Sequence, residues 1–84
     1  MEREDTPALT RHIDSQESIE AIVAEAIADI ENTHPAKIEP IYESIDIGAV
    51  DALLRSADAQ VLVEFEHDDL VVNIIGRSRV EVFN

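Results

Sequence analysis

The sequence predicts an α+β domain: two helices packed on one face of a three-stranded antiparallel sheet, with a fourth strand permitted at the N-terminal edge. Three observations carry that prediction. Apolar residues recur at a helical period over 19–30 and again over 50–57, which lays a stripe along one side of each helix. After Asp58 the period changes from 3.6 to 2, the mark of strands with one buried face. The turns between those strands impose a register that collects their buried sides on a single face.

Residues 1–8 are polar, contain Pro7 and show no periodicity, so they read as a flexible terminus ahead of one domain over 9–84. Leu9, Arg11 and Ile13 share one side and permit a short edge strand. Ile19, Ile22, Val23, Ala26, Ile27 and Ile30 then predict a helix from about Ser15 to Glu31. Asp14 or Ser15 supplies the N-cap oxygen, and Glu17 stands three residues after Asp14 as a capping box requires. Pro35 closes the segment by disfavouring helical geometry at the residue before it. Residues 38–45 form an irregular connection, with Ile41, Tyr42 and Ile45 expected to pin it to the core. Asp46 caps a shorter helix whose apolar set, again at helical spacing, is Val50, Leu53, Leu54 and Ala57.

Val61, Val63 and Phe65 alternate with Leu62, Glu64 and Glu66. A two-residue turn at Asp68-Asp69 pairs His67 with Leu70, and so sets Phe65 opposite Val72 and Val63 opposite Ile74. A three-residue turn at Gly76-Arg77-Ser78 brings Val80 and Val82 against Ile74 and Val72, completing the core side of the sheet.

Charge sets the boundaries on function. Nineteen Asp and Glu face six Lys and Arg among 84 residues, for a formal charge of −13. A nucleic-acid groove needs cations to neutralise phosphates, so direct nucleic-acid binding is disfavoured, as is docking on an anionic membrane. Disorder is countered by 26 Leu, Ile, Val and Phe residues in 84, above the ~20% below which charged chains fail to collapse. Cys is absent, which excludes disulfides and thiolate chemistry. The charged N-terminus is not a signal peptide, and no apolar run approaches the ~20 residues of a membrane span. A cytoplasmic protein is expected.

The order of these residues is familiar. The stretch SIEAIVAEAIA at 18–28, the block PAKIEPIYESID at 35–46, AVDAL at 49–53 and the strand VLVEFE at 61–66 with its hairpin together resemble the halobacterial output domain 1 family. The likeness runs over residues 10–83, and PIYESID followed by DALL is its most specific part. Relatives usually have Leu where Ile41 stands, Pro-Asp at Ile47-Gly48 and Glu-Gly at the first hairpin turn. The resemblance implies a setting, signal transduction in a salt-rich cytoplasm, and brings no catalytic or binding residues with it.

Candidate sites were weighed on their chemistry. His67-Asp68-Asp69 places an imidazole beside two carboxylates, but adjacent residues on a tight turn rarely converge on one ion, so no metal and no cofactor are expected. Caps and turns account for Ser15, Ser44, Ser56 and Ser78, and no catalytic residues are expected. Ala21, Ala24 and Ala28 form a small-residue stripe opposite the isoleucines, open to an approaching helix, although alanine is also the best helix former. Leu62, Val71 and Ile75 fall on the outer sheet face near Phe83, and an apolar group of that size more often marks a contact surface than an accident, the alternative being that the N-terminal segment covers it. The expectation is a non-catalytic signalling output or interaction module with a protein partner or a second copy; the alternative is a small-ligand or ion-binding sensor.

Overall fold

The computed structural model describes residues 6–14, 16–57 and 60–84. Four antiparallel strands, β1 (Leu9–His12), β2 (Leu62–His67), β3 (Leu70–Ile75) and β4 (Arg79–Phe83), form one sheet in the order β1-β4-β3-β2. Helix α1 (Ile19–Glu31) follows β1, and α2 (Ile47–Ser56) precedes β2. Between the helices lie two single-turn 3₁₀ helices, Pro35–Lys37 and Ile41–Glu43.

The hairpin register follows the sequence reading pair by pair. His67 pairs with Leu70, Phe65 with Val72, and Val63 with Ile74; Val72 pairs with Val82 and Ile74 with Val80. Asp68 takes φ 54°, a left-handed conformation that Asp tolerates better than most residues. At the second turn Gly76 adopts φ +55°, where an added Cβ would be strained;. Its N–H donates to Val61 O at 2.8 Å, holding the turn against the start of β2. The permitted fourth strand forms: Leu9 pairs with Val82 and Arg11 with Val80 on β4. Ala8, assigned from the sequence to the flexible terminus, already donates its N–H to Val82 O at 2.8 Å.

One core joins the sheet to both helices. Val72, Ile74, Val80 and Val82 cluster with Ile22, Val23 and Ile27 of α1, with Val50 and Leu54 of α2, and with Ile41 of the connection. Each such aliphatic side chain contributes ~1.5–3 kcal/mol by leaving water.

Three details differ from the sequence reading, each for a local reason. Helix α1 starts at Ile19, later than expected, because Ser18 is extended and its hydroxyl accepts from Ala21 N at 3.0 Å. The Asp14–Glu17 pair forms, with Asp14 N donating to Glu17 Oε1 at 3.2 Å, but it closes a separate turn ahead of the helix. Ser15 lies outside the described residues. At its other end α1 is stopped by Asn32 in the left-handed region, φ 55°, before Pro35 can act.

Tyr42 is the second difference, being 68% exposed while Ile41 is buried. A 3₁₀ turn advances about 120° per residue, so burying one side chain points its neighbour away. Leu53 is the third, at 48% exposed. The buried stripe of α2 is Ile47, Val50 and Leu54, and Leu53 lies about 100° around the helix from Leu54.

Candidate functional site

Five of the chain's six cations fall among the described residues, and four of these are spent inside the fold. Arg11 on β1 pairs with Asp29 and, at 3.7 Å, with Glu25 on α1. Arg77, in the turn between β3 and β4, reaches Asp51 on α2, which also accepts from Arg55 Nε at 3.0 Å. Arg79 pairs with Glu81 at 3.2 Å. Among the described residues Lys37 is the cation left without an ion pair. The Asp51 carboxyl is held below its ordinary pKa, first by the Arg55 hydrogen bond and then, against a smaller upward push from burial, by the charges of Arg55 and Arg77;.

The two surfaces singled out from the sequence each combine buried and exposed residues. Of the alanine stripe, Ala28 is fully buried, Ala24 packs against the core, and Ala21 stays exposed. The 3₁₀ turns pack against α1. On the outer sheet face Val71 and Phe83 are buried and Ile75 is half-buried, while Leu62 remains 61% exposed. Between them runs a polar cross-strand row, Glu64-Asn73-Glu81. Asn73 is buried, and its amide nitrogen, in the orientation its neighbours require, donates to Glu64 Oε2 at 2.8 Å.

The turn motif His67-Asp68-Asp69 is separated by burial. Both aspartates are exposed at the tip, whereas His67 is 2% exposed. Its Nδ1 lies 2.7 Å from Ser44 Oγ across 23 positions of sequence, and its buried Nε2 has no hydrogen-bond partner among the described residues. Sequence reasoning missed this pair by giving Ser44 to a turn. The available signal was the position of His67 on the buried side of an alternating strand, where an imidazole needs a partner. Of the other histidines, His34 accepts from Ala36 N at 3.1 Å and caps the first 3₁₀ turn, and His12 is exposed on β1. Among the described residues no three His, Asp or Glu gather at metal-binding distance.

A groove lies between α1 and the connection. Ala21 and Ala24 line one side, Ile38, Pro40 and Tyr42 the other, and Glu20 and Glu39 belong to the lining as well. Its volume is about 300 Å³, the lower end of the range for ligand pockets.

Comparison with protein families matches residues 15–84 to Halobacterial output domain 1. The chain belongs to that family. Comparisons with curated proteins and with solved structures return no match. In this halobacterial output domain, the PIYESID block that carries the resemblance builds three things at once. Pro40 and Tyr42 wall the groove, Ser44 holds His67, and Asp46 caps α2 by accepting from Ala49 N at 3.0 Å. None of the output domain's described helices is long and apolar enough to cross a membrane.

Proposed function

We propose that this chain is a non-catalytic signalling output module that works in a saline cytoplasm by contacting another protein. The observation that carries this reading is the fate of the cations. Four of the five described Lys and Arg residues are committed to internal ion pairs, which leaves almost nothing to neutralise phosphates in a nucleic-acid partner. What remains outside is an acidic surface with three large exposed apolar side chains, Tyr42, Leu53 and Leu62. Side chains of that kind contribute to a protein contact by leaving water, at a strength that salt leaves largely intact.

The Ser44–His67 pair supports the non-catalytic part. A general base needs a third group to orient it and a cleft that brings substrate to the nucleophile. Here Nε2 is buried with no hydrogen-bond partner among the described residues. Photo-crosslinking in the host from positions 42, 53 and 62 tests the reading, with covalent capture of one defined protein as the expected result. Retardation of DNA at multimolar salt would overturn it. So would a melting temperature raised by a metabolite while all three positions stay uncrosslinked.

A further inference from the structure

We infer that the groove between α1 and residues 35–42 is the docking site, and that its occupant is a segment of a partner protein presenting one or two bulky apolar side chains flanked by Lys or Arg. The inference rests on the protein-contact reading above and names the partner's chemistry. Four observations converge on it. The floor is made of alanines, Ala21 and Ala24, which leave space that a larger residue would fill. The far wall includes Tyr42, a residue 68% exposed; tyrosine supplies much contact area for little entropy and is enriched among residues that dominate binding energy.

The border is of one sign. Glu20 and Glu39 line the groove and make no ion pair among the described residues, so a cation beside the inserted side chain would meet an unneutralised carboxylate. Finally, the cavity of about 300 Å³ has room for only a small insertion. With Tyr42 and Ala21 exposed, it lacks the enclosure that buries most of a small molecule. A side chain delivered by a larger body suits it better. A second copy of this chain fits poorly, since it brings the same acidic border and a formal charge of −13, with Lys37 its one unpaired described cation.

Peptide titration followed by amide chemical shifts tests the inference on the full chain. The probes are three 14-residue amphipathic peptides: Leu with Lys, Leu with Glu at the same Leu positions, and Ala with Lys. At ~1 M KCl the screening length is ~3 Å, so any preference reports carboxylates in contact with the peptide and not the overall charge. The Leu/Lys peptide is expected to bind best, with shifts centred on Ala21, Ala24, Ile38 and Tyr42. Tyr42→Ala, at an exposed position that does not threaten folding, should weaken it about tenfold or more. The pair Glu20→Lys and Glu39→Lys should transfer preference to the Leu/Glu peptide.

Equal binding of the Ala/Lys peptide, or shifts centred on Leu53 or Leu62, would overturn the groove. The crosslinking experiment separates the two readings. Capture from position 53 or 62 with position 42 silent removes the groove and leaves protein contact standing; silence at all three positions removes both. Capture from position 42 supports the groove only when the crosslinked segment carries apolar residues next to Lys or Arg.

Discussion

Ser44→Ala and His67→Leu should move stability in opposite directions, although they remove two ends of one hydrogen bond. The imidazole is buried, Nδ1 is held at 2.7 Å by the Ser44 hydroxyl, and Nε2 has no partner among the described residues. Leaving a lone pair bare costs less than leaving an N–H bare, so the favoured tautomer has Nδ1–H donating to Ser44 Oγ. Deleting the hydroxyl then strands a second ring nitrogen in the core. A buried polar atom without its partner costs ~1–3 kcal/mol, or a melting point lower by roughly 4–8 °C per kcal/mol in a domain this small. In His67→Leu both stranded atoms vanish, the exposed Ser44 hydroxyl returns to water, and apolar surface takes the ring's place. The expected result is a neutral or raised midpoint, because no buried polar atom is left without a partner. Urea unfolding followed by far-ultraviolet circular dichroism, with equal slopes as the check on two-state behaviour, gives both numbers. A loss of ~2 kcal/mol in His67→Leu, with Ser44→Ala silent, would refute the reasoning and show that the imidazole is held by contacts other than this bond. Imidazole ¹⁵N shifts check the tautomer independently.

Further predictions concern the core, the ion pairs and the acidic row. Ile27→Ala, at a position with no exposure, should cost ~2–5 kcal/mol in urea unfolding, whereas Leu53→Ala, at a residue 48% exposed, should stay within ~0.5 kcal/mol. Asp51 is depressed in the folded state by Arg55 and Arg77, so it contributes stability that is present above its unfolded pKa and lost as pH falls through the folded value. Asp51→Asn should therefore lower the urea midpoint at pH 7 and flatten its decline below pH ~4. Asn73→Asp would set a third carboxylate between Glu64 and Glu81, costing more than ~1 kcal/mol at 0.1 M salt. The loss should shrink, and the unsubstituted chain should itself gain stability, as KCl rises to ~3 M; a flat midpoint in both would contradict this.

The parts of the fold that were legible in the sequence are those fixed by period and turn length. Once Asp68-Asp69 is a two-residue turn, the side-chain alternation of a strand leaves Phe65 no partner but Val72, and the same logic carries through Gly76-Arg77-Ser78 to Val82. What escaped depended on how far a residue turns about an irregular backbone. Ile41 and Tyr42 are both apolar in content, and only the tightness of the 3₁₀ turn decides which one faces water. Ser18 against Asp14 is a competition between two good caps, and either could have started α1. The Ser44–His67 pair was hidden because it spans elements 23 positions apart, and within the alanine stripe composition alone does not separate buried Ala28 from exposed Ala21. The groove combines alanines the sequence singled out with a tyrosine expected to be buried.

The acidity acquires a division of labour from the ion pairs. Arg11 ties β1 to α1, and Arg77 ties the β3–β4 turn to α2, so two cations join helix to sheet at places where the apolar core thins toward solvent. Such pairs are each worth little when exposed, ~0.2–1 kcal/mol, and salt weakens them. Salt also relieves repulsion among the remaining carboxylates, and the two effects oppose one another. Their balance follows from the numbers: 19 acidic groups against six cations leave a net charge of −13 that ion pairing cannot cancel, whereas screening can cost at most the handful of attractive contacts. Repulsion relieved should exceed attraction lost, so the same acidic surplus should favour folding in concentrated salt. It also sharpens the demand on a partner, because at a screening length of ~3 Å only a Lys or Arg placed directly against Glu20 or Glu39 can profit from that charge.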